Sequence, residues 1–141
     1  MGRLRKSNMK LKLVDSSVWI DYLKGTKGKI FDELDHHILE GSVAICPVIL
    51  QEVLQGAKTD KEYNKVLDSF LGFEMLTLDG VLAAIGAANL YRTLKTKGIT
   101  VRRPNDCLIA YYCIQFGIPI LQLDRDFHHI ARESPLQLYK L

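Results

Sequence analysis

The sequence predicts an α/β protein with a central parallel sheet. Two observations support this prediction. Short apolar runs of strand length alternate with stretches that have helical apolar spacing, and each helical stretch is bounded by capping residues, glycine or proline. Strands that alternate with helices in this way form parallel sheets covered by helices on both faces.

The first strand and helix meet at an aspartate. Residues 11–14 are predicted as the strand, and Asp15 stands at its carboxyl end. The following helix has Ser16 or Ser17 as its predicted N-cap, and Gly25 stops it. A carboxylate at this position needs an explanation, because the strand before it is apolar.

The later elements follow from the same signals. Pro47 and Pro104 are placed to open helices, and Gly41, Gly98 and Gly117 to close them. In order, the predicted elements are a helix around 30–40, a strand over 43–46, a helix over 47–55, a helix over 60–72, a strand over 73–78, a helix over 81–97, a helix over 104–116, a strand over 118–123 and a short helix from 125.

Composition indicates one globular domain. The chain has 141 residues, of which 48% are hydrophobic and 25% charged, and we expect one domain over 11–141. Five basic residues and no acidic ones lie in the first twelve positions, so the net charge of +3 comes from a basic tail over 1–10 and the body is net acidic. Three cysteines without a metal-binding spacing predict buried free thiols and a cytoplasmic protein. No segment resembles an export signal or a membrane span.

Four acidic residues occupy unusual positions, because each follows an apolar strand or lies on a helix face that is otherwise expected to be buried. Asp15 and Asp124 each follow a strand directly, Asp106 lies in a first helical turn on the face toward the sheet, and Glu52 interrupts an apolar helix. The carboxyl ends of parallel strands share one edge, where open α/β folds place their sites. Singly, each acid has a local explanation as a cap, a turn residue or an exposed position.

Together the four acids predict a metal site. Neighbouring carboxylates repel each other, and a divalent cation neutralises such a cluster. Oxygen ligands favour Mg²⁺ or Mn²⁺ over zinc. With Ser17 beside them to orient a water or a carboxylate, these residues are suited to hydrolysis of phosphodiesters. The histidine pairs 36/37 and 128/129 are predicted to lie on the surface, and Trp19 and Tyr112 in the core.

Four segments in this order resemble the PIN-domain ribonucleases, and most closely the VapC-type toxins of type II toxin–antitoxin pairs. The segments are VDSSVWIDYL, VILQEVLQG, RPNDCLIAYYC and LQLDRDF. The resemblance covers nearly the whole chain from Leu11 and implies a three-layer α/β/α fold with a sheet of four to five strands. The chain departs from the family pattern at Gln122, where members often carry threonine.

The resemblance also implies an activity, a metal and partners. It implies a Mg²⁺-dependent endoribonuclease, with Asp15, Glu52, Asp106 and Asp124 as metal and catalytic residues, Ser17 in support and Asp126 as a further acid. It implies an RNA substrate, a cognate antitoxin that inserts a peptide into the acidic groove, and a homodimer, for which apolar residues in 28–40 and 60–72 offer a surface. Lys95, Lys97, Arg102 and Arg103 precede Asp106 and are candidates to contact RNA phosphates.

Two alternatives remain open at the level of sequence. A phosphoacceptor receiver domain also places aspartates and Mg²⁺ at one sheet edge, although it needs a paired acid after the first strand and a lysine after the last. The second alternative is a binding module that keeps the fold without catalysis. The number of metal ions, and whether Asp124 or Asp126 lies nearer to the metal, are likewise open.

Overall fold

A computed structural model describes residues 10–141. In chain order the strands are β1 (Lys12–Val14), β2 (Val43–Ile45), β3 (Glu74–Met75) and β4 (Ile120–Leu121). The helices are α1 (Ser16–Leu23), α2 (Lys29–Glu40), α3 (Pro47–Gln55), α4 (Asp60–Phe70), α5 (Gly80–Thr96), α6 (Pro104–Phe116) and α7 (Asp126–Arg132). The predicted basic tail lies outside the described residues except for Lys10.

The four strands form one parallel sheet in the order β3-β2-β1-β4. Leu13 of β1 stands opposite Ala44 on one side and Ile120 on the other. The chain therefore moves from β1 to β2 in one direction, while β4 lies on the opposite side of β1. This change of direction opens a crevice beyond the carboxyl ends of β1 and β4. The predicted fold class, a three-layer α/β/α fold with four to five parallel strands, is confirmed.

The strands are shorter than the apolar runs that predicted them. β3 has two residues within the predicted range 73–78, and β4 has two within 118–123. A ladder can continue only while both neighbours remain extended, and β2 itself has three residues. At the outer edge of β4, Ile120 makes a parallel bridge with Leu138, so the carboxyl-terminal segment adds a single rung there.

The core lies between the sheet and the helices, and it contains the predicted aromatic side chains. Trp19 is 1% exposed and its ring lies 4.6 Å from that of Phe70, while Tyr112 is also buried. The three cysteines are free and buried, as predicted. Among residues 10–141, no helix combines the length and the apolar character needed to cross a membrane.

Two expectations from the sequence are wrong. The N-cap of α1 is Asp15, whose side chain accepts the Ser17 backbone N–H, because the carboxylate at the strand end is already in reach of the first helical turn. His37 is buried rather than on the surface. Its Nε2 lies 2.9 Å from the Tyr139 hydroxyl, since the carboxyl-terminal segment returns to cover that face of α2.

Candidate active site

Five carboxylates meet at the carboxyl edge of the sheet, in the crevice beyond β1 and β4. Each is placed by a different local feature: Asp15 follows β1, Glu52 lies within α3, Asp106 lies in the first turn of α6, Asp124 follows β4 and Asp126 begins α7. We call these five residues the acidic cluster. The structure thus brings together every acidic residue that the sequence singled out.

Asp15 is the most deeply buried member of the acidic cluster, with no exposed surface. Its Oδ2 accepts hydrogen bonds from the Ser17 backbone N–H at 3.1 Å and from the Ser17 hydroxyl at 2.6 Å. Its Oδ1 is buried and has no hydrogen-bond partner within residues 10–141. Burial raises the pKa of Asp15, and the nearby charge of Glu52 raises it further.

Ser17 links the ends of β1 and β4. While its hydroxyl donates to Asp15, the same oxygen accepts the backbone N–H of Leu123 at 3.2 Å. The serine therefore fixes the orientation of the Asp15 carboxylate and ties it to the segment that carries Asp124. This contact is consistent with the supporting role that the resemblance implied.

Two further polar residues hold Glu52, and neither is among the candidate site residues that the sequence indicates. The Ser16 hydroxyl donates to Glu52 Oε1 at 2.8 Å, and Asn105 Nδ2 donates to Oε2 at 3.3 Å. Asn105 lies directly before Asp106 in the motif RPND, and this position could have indicated that it belongs to the site. The sequence indicates Ser16 only as a helix cap, because its contact with Glu52 spans 36 residues of sequence.

Asp106, Asp124 and Asp126 form a compact group within the acidic cluster. One carboxylate oxygen from each lies within 4.8 Å of the others. Burial raises the pKa of Asp106 to about 7; the charges of Asp15 and Asp124 add to this shift, and Arg103 opposes it. Neighbouring negative charges are therefore one reason why this carboxylate is costly to ionise without a cation.

Gln122 has a structural role at the position where the family often carries threonine. Its side-chain oxygen accepts the Asp124 backbone N–H at 2.7 Å. Asp124 Oδ1 in turn accepts the Asp126 backbone N–H at 2.9 Å. The turn that presents both aspartates is therefore fixed by hydrogen bonds without a hydroxyl at residue 122.

Two of the four predicted cations lie directly on the acidic cluster. Arg102 contacts Asp124 and Asp126, each at 3.1 Å, and Arg103 contacts Asp106 and Asp124 at 3.3 and 3.0 Å. Lys97 instead lies 3.9 Å from Glu133, and Lys95 is exposed in the last turn of α5. The structure thus separates the predicted cations into an arginine pair at the site and two lysines away from it.

The donor set of the acidic cluster fits a hard divalent cation. All its candidate ligand atoms are carboxylate oxygens, which suit Mg²⁺ or Mn²⁺. Among residues 10–141, no group donates a hydrogen bond to the buried Asp15 Oδ1, and such an atom needs a compensating positive partner. We expect Asp15, Glu52, Asp106 and Asp124 to hold the ion, with Asp126 beside them.

The comparison with protein families agrees with this geometry. Residues 12–133 match the family model described as PIN domain. The chain belongs to the PIN-domain family. A receiver domain, the first alternative from the sequence, does not agree with this membership.

Curated relatives of this PIN-domain protein are 35% identical to it over 127 residues, which is 89% of this chain and 95% of theirs. They are VapC ribonuclease Mb1587 of Mycobacterium bovis and Ribonuclease VapC11 of Mycobacterium tuberculosis. The resemblance to the VapC type is therefore confirmed.

Solved structures share the fold. VapBC2 from Rickettsia felis, bound to a DNA fragment from its promoter, matches with a TM-score of 0.70 and 19% identity over 92% of this chain and 97% of that chain. DNA-bound VapBC from Salmonella typhimurium matches with a TM-score of 0.65 and 23% identity over the same shares of each chain.

Proposed function

We propose that this PIN-domain protein is a divalent-metal-dependent endoribonuclease and the toxin of a toxin–antitoxin pair. The observation that carries the proposal is the acidic cluster, in which five carboxylates from separate segments meet in the crevice beyond β1 and β4. Relatives named as VapC ribonucleases, 35% identical over most of the chain, support RNA as the substrate class.

The residues of the acidic cluster have distinct proposed roles. Bound there, Mg²⁺ or Mn²⁺ would polarise the scissile phosphate and lower the pKa of an attached water. Asp15, Asp106, Asp124 and Glu52 supply the ligand oxygens, Ser17 holds Asp15 in orientation, and Ser16 with Asn105 holds Glu52. We propose that Arg102 and Arg103 contact phosphates of the bound RNA, with Lys95 and Lys97 as more distant candidates.

A cleavage assay tests the proposed activity. Purified wild-type protein is incubated with structured RNA and Mg²⁺ or Mn²⁺, and is compared with Asp106→Asn and with Asp68→Asn, which removes an exposed carboxylate on α4. We expect cleavage by the wild type and by Asp68→Asn, loss of at least about a hundredfold in Asp106→Asn, and inhibition by a chelator. If the folded wild type and Asp106→Asn are equally inert, the protein is the inactive binding module that the sequence left open.

Growth of a bacterial host tests the toxin assignment. We expect expression of the wild type to arrest growth and Asp15→Asn to be tolerated at equal protein level. The solved neighbours include VapBC assemblies, which supports an antitoxin as the partner of this chain as well. Buried thiols, with the pKa of Cys46 raised to about 12 by burial, are compatible with the proposed cytoplasmic location.

We also propose that the protein forms a homodimer. The predicted surface over 28–40 and 60–72 exposes Leu39 on α2, Tyr63 on α4 and Leu71 just after α4, whereas α5 exposes three large apolar side chains within about one turn: Val81, Leu82 and Ile85. Such a grouped apolar face favours α5 as the contact between two copies. Light scattering of Leu82→Glu and Leu39→Glu distinguishes the surfaces: loss of the dimer in the first variant alone supports α5.

A further inference from the structure

The guanidinium groups of Arg102 and Arg103 bind carboxylate oxygens of three members of the acidic cluster: Asp106, Asp124 and Asp126. Arg103 donates to both carboxylate oxygens of Asp106, at 3.3 and 3.4 Å, and to Asp124 Oδ2 at 3.0 Å. Arg102 donates to Asp124 Oδ1 and to Asp126 Oδ2, each at 3.1 Å. Both oxygens of Asp124 and both of Asp106 are therefore engaged by a cation that the chain itself supplies.

The same atoms are the ligands that a divalent cation needs. The lone pair with which a carboxylate oxygen accepts a guanidinium hydrogen bond cannot also bind a metal. In addition, the positive charges of the two arginines repel an incoming cation. The arginine pair and a divalent ion are therefore competitors for Asp106 and Asp124. The contacts of Arg103 with Asp106 are also long for charge-assisted hydrogen bonds, which are usually about 2.7–2.9 Å.

Exposure indicates which partner can move. The side chains of Arg102 and Arg103 are 62% and 52% exposed, whereas the side chains of Asp106 and Asp126 are 1% and 7% exposed. The main chain of Arg102 is held separately, because its backbone N–H donates to Asp126 Oδ2 at 3.3 Å. The guanidinium groups can thus turn toward solvent by side-chain rotation, while the carboxylates stay in place.

We propose that Arg102 and Arg103 are an exchangeable internal counterion of the acidic cluster. In the metal-free protein they neutralise the carboxylates; when a divalent cation takes these oxygens, the guanidinium groups turn outward and bind RNA phosphates at the rim of the site. The proposal rests on the proposed function, since it requires a divalent cation at the acidic cluster.

Exchange has a thermodynamic consequence that independent binding lacks. The planar guanidinium groups match phosphate oxygens as well as carboxylate oxygens. A cation that frees the arginines therefore strengthens binding of a phosphate-bearing ligand, and by linkage that ligand strengthens binding of the cation by the same factor. Couplings of this kind are typically about 5–150-fold.

The first experiment follows the arginines in the unmodified protein. Side-chain Nε–H resonances of ¹⁵N-labelled wild type are recorded during titration with Mg²⁺, while calorimetry measures Mg²⁺ binding. We expect the resonances of Arg102 and Arg103 to shift or broaden in proportion to occupancy, and that of exposed Arg125, which lies between Asp124 and Asp126 in sequence, to stay unchanged. Saturation with Mg²⁺ while all three resonances stay unchanged would overturn the proposal.

The second experiment measures Mn²⁺ affinity by electron paramagnetic resonance. The variants are Arg102→Gln, Arg103→Gln and the double variant, with Arg125→Gln as a control that also loses one positive charge. We expect affinity for Mn²⁺ to rise about fivefold or more in the arginine-pair variants and to change little in the control. If a single arginine variant has the circular dichroism spectrum of the wild type but binds Mn²⁺ no more tightly than the wild type does, exchange is wrong and the arginines instead preorganise the carboxylates.

The third experiment measures the coupling itself. Binding of a fluorescent phosphorothioate oligonucleotide is followed by anisotropy with and without Mg²⁺, at constant ionic strength. We expect Mg²⁺ to tighten binding about fivefold or more in the wild type and to have little effect in the double variant. An equal effect of Mg²⁺ in both proteins contradicts exchange.

The outcomes separate this proposal from the proposed function. If the wild type binds neither Mg²⁺ nor Mn²⁺, the metal-dependent nuclease is wrong and the exchange fails with it. If the metal binds and RNA is cleaved while the arginine resonances do not respond, only the exchange is wrong.

Discussion

Asp15 illustrates how one side chain can serve both the fold and the site. Its Oδ2 caps α1 and accepts the Ser17 hydroxyl, while its Oδ1 is buried without a donor among residues 10–141. Oδ2 stabilises the start of the helix, and Oδ1 is available to bind a cation. The charge itself destabilises the metal-free protein, because burial raises the pKa of this carboxyl.

Substitution of Asp15 separates these two contributions. Asp15→Asn keeps an oxygen that can accept the Ser17 N–H and removes the charge, so we expect the metal-free variant to be at least as stable as the wild type at pH 7. Asp15→Ala also removes the cap and should be less stable than Asp15→Asn by about 1 kcal/mol. Urea denaturation in the presence of a chelator measures both values. If Asp15→Asn is less stable than Asp15→Ala, the side chain of residue 15 does not stabilise the protein as the N-cap of α1.

Asp106 makes stability depend on pH. Its pKa is about 7 in the folded protein against an ordinary value of 3.8, so the folded state holds the proton more strongly. The resulting stabilisation is fully present below pH 3.8 and is lost as the pH rises through about 7. We therefore expect the free energy of unfolding of Asp106→Asn, relative to the metal-free wild type, to increase between pH 5 and pH 8.

Urea denaturation at several pH values, with a chelator present, checks this expectation. Asp68→Asn, on the exposed surface of α4, gives the baseline for loss of a carboxylate elsewhere. A difference between wild type and Asp106→Asn that does not change with pH would show that Asp106 ionises normally in the folded chain.

Helices α5 and α6 approach each other closely at a glycine. A methyl group added at Gly86 would lie 2.2 Å from Cζ of Tyr111 on α6, so the absence of a side chain at Gly86 makes room for the Tyr111 ring between the two helices. The pair matters for the site, because α6 carries Asp106 in its first turn and Asn105 beside it. The sequence marks Gly86 only as a glycine inside a helix, without indicating which neighbour requires it.

Substitution of Gly86 tests this close approach. Alanine has a better helix propensity by about 1 kcal/mol, but overpacking costs about 1–3 kcal/mol, so we expect Gly86→Ala to lower the melting temperature. Adding Tyr111→Ala should cost less in the Gly86→Ala background than in the wild type. Gly80→Ala, where nothing lies within 4 Å of the added carbon, should leave the melting temperature unchanged or raise it.

Metal binding should stabilise the entire fold. A ligand that binds only the folded state at a hundred times its Kd adds about 2.7 kcal/mol, so we expect saturating Mg²⁺ to raise the melting temperature. Asp124 perturbs Asp106 electrostatically and contacts both arginines. We therefore expect Asp124→Asn to reduce the Mg²⁺-induced rise more than Asp126→Asn. Differential scanning calorimetry of both variants with Mg²⁺ and with chelator measures this rise. A larger reduction in Asp126→Asn than in Asp124→Asn would indicate that Asp126 is the nearer ligand.

The sequence alone is enough to predict the fold class, the helices of residues 10–141 and the acidic residues that meet at the sheet edge. Helical spacing, caps and prolines are local signals, so α3, α6 and the glycines after α2 and α6 follow from short stretches of chain. The carboxylates could be recognised because an acid at the end of an apolar strand or within an apolar helix face needs an explanation wherever it occurs. Four short segments in order then indicated the family.

The strand lengths, the partners of the carboxylates and the positions of the cations follow from the three-dimensional fold. These depend on contacts between residues far apart in the chain, such as Ser16 with Glu52, Ser17 with Leu123 and Tyr139 with His37. Four basic residues before Asp106 looked equivalent in sequence, yet only Arg102 and Arg103 reach the acidic cluster. Sequence spacing sets which side chains are near along the chain, whereas the order of strands in the sheet sets which charges meet.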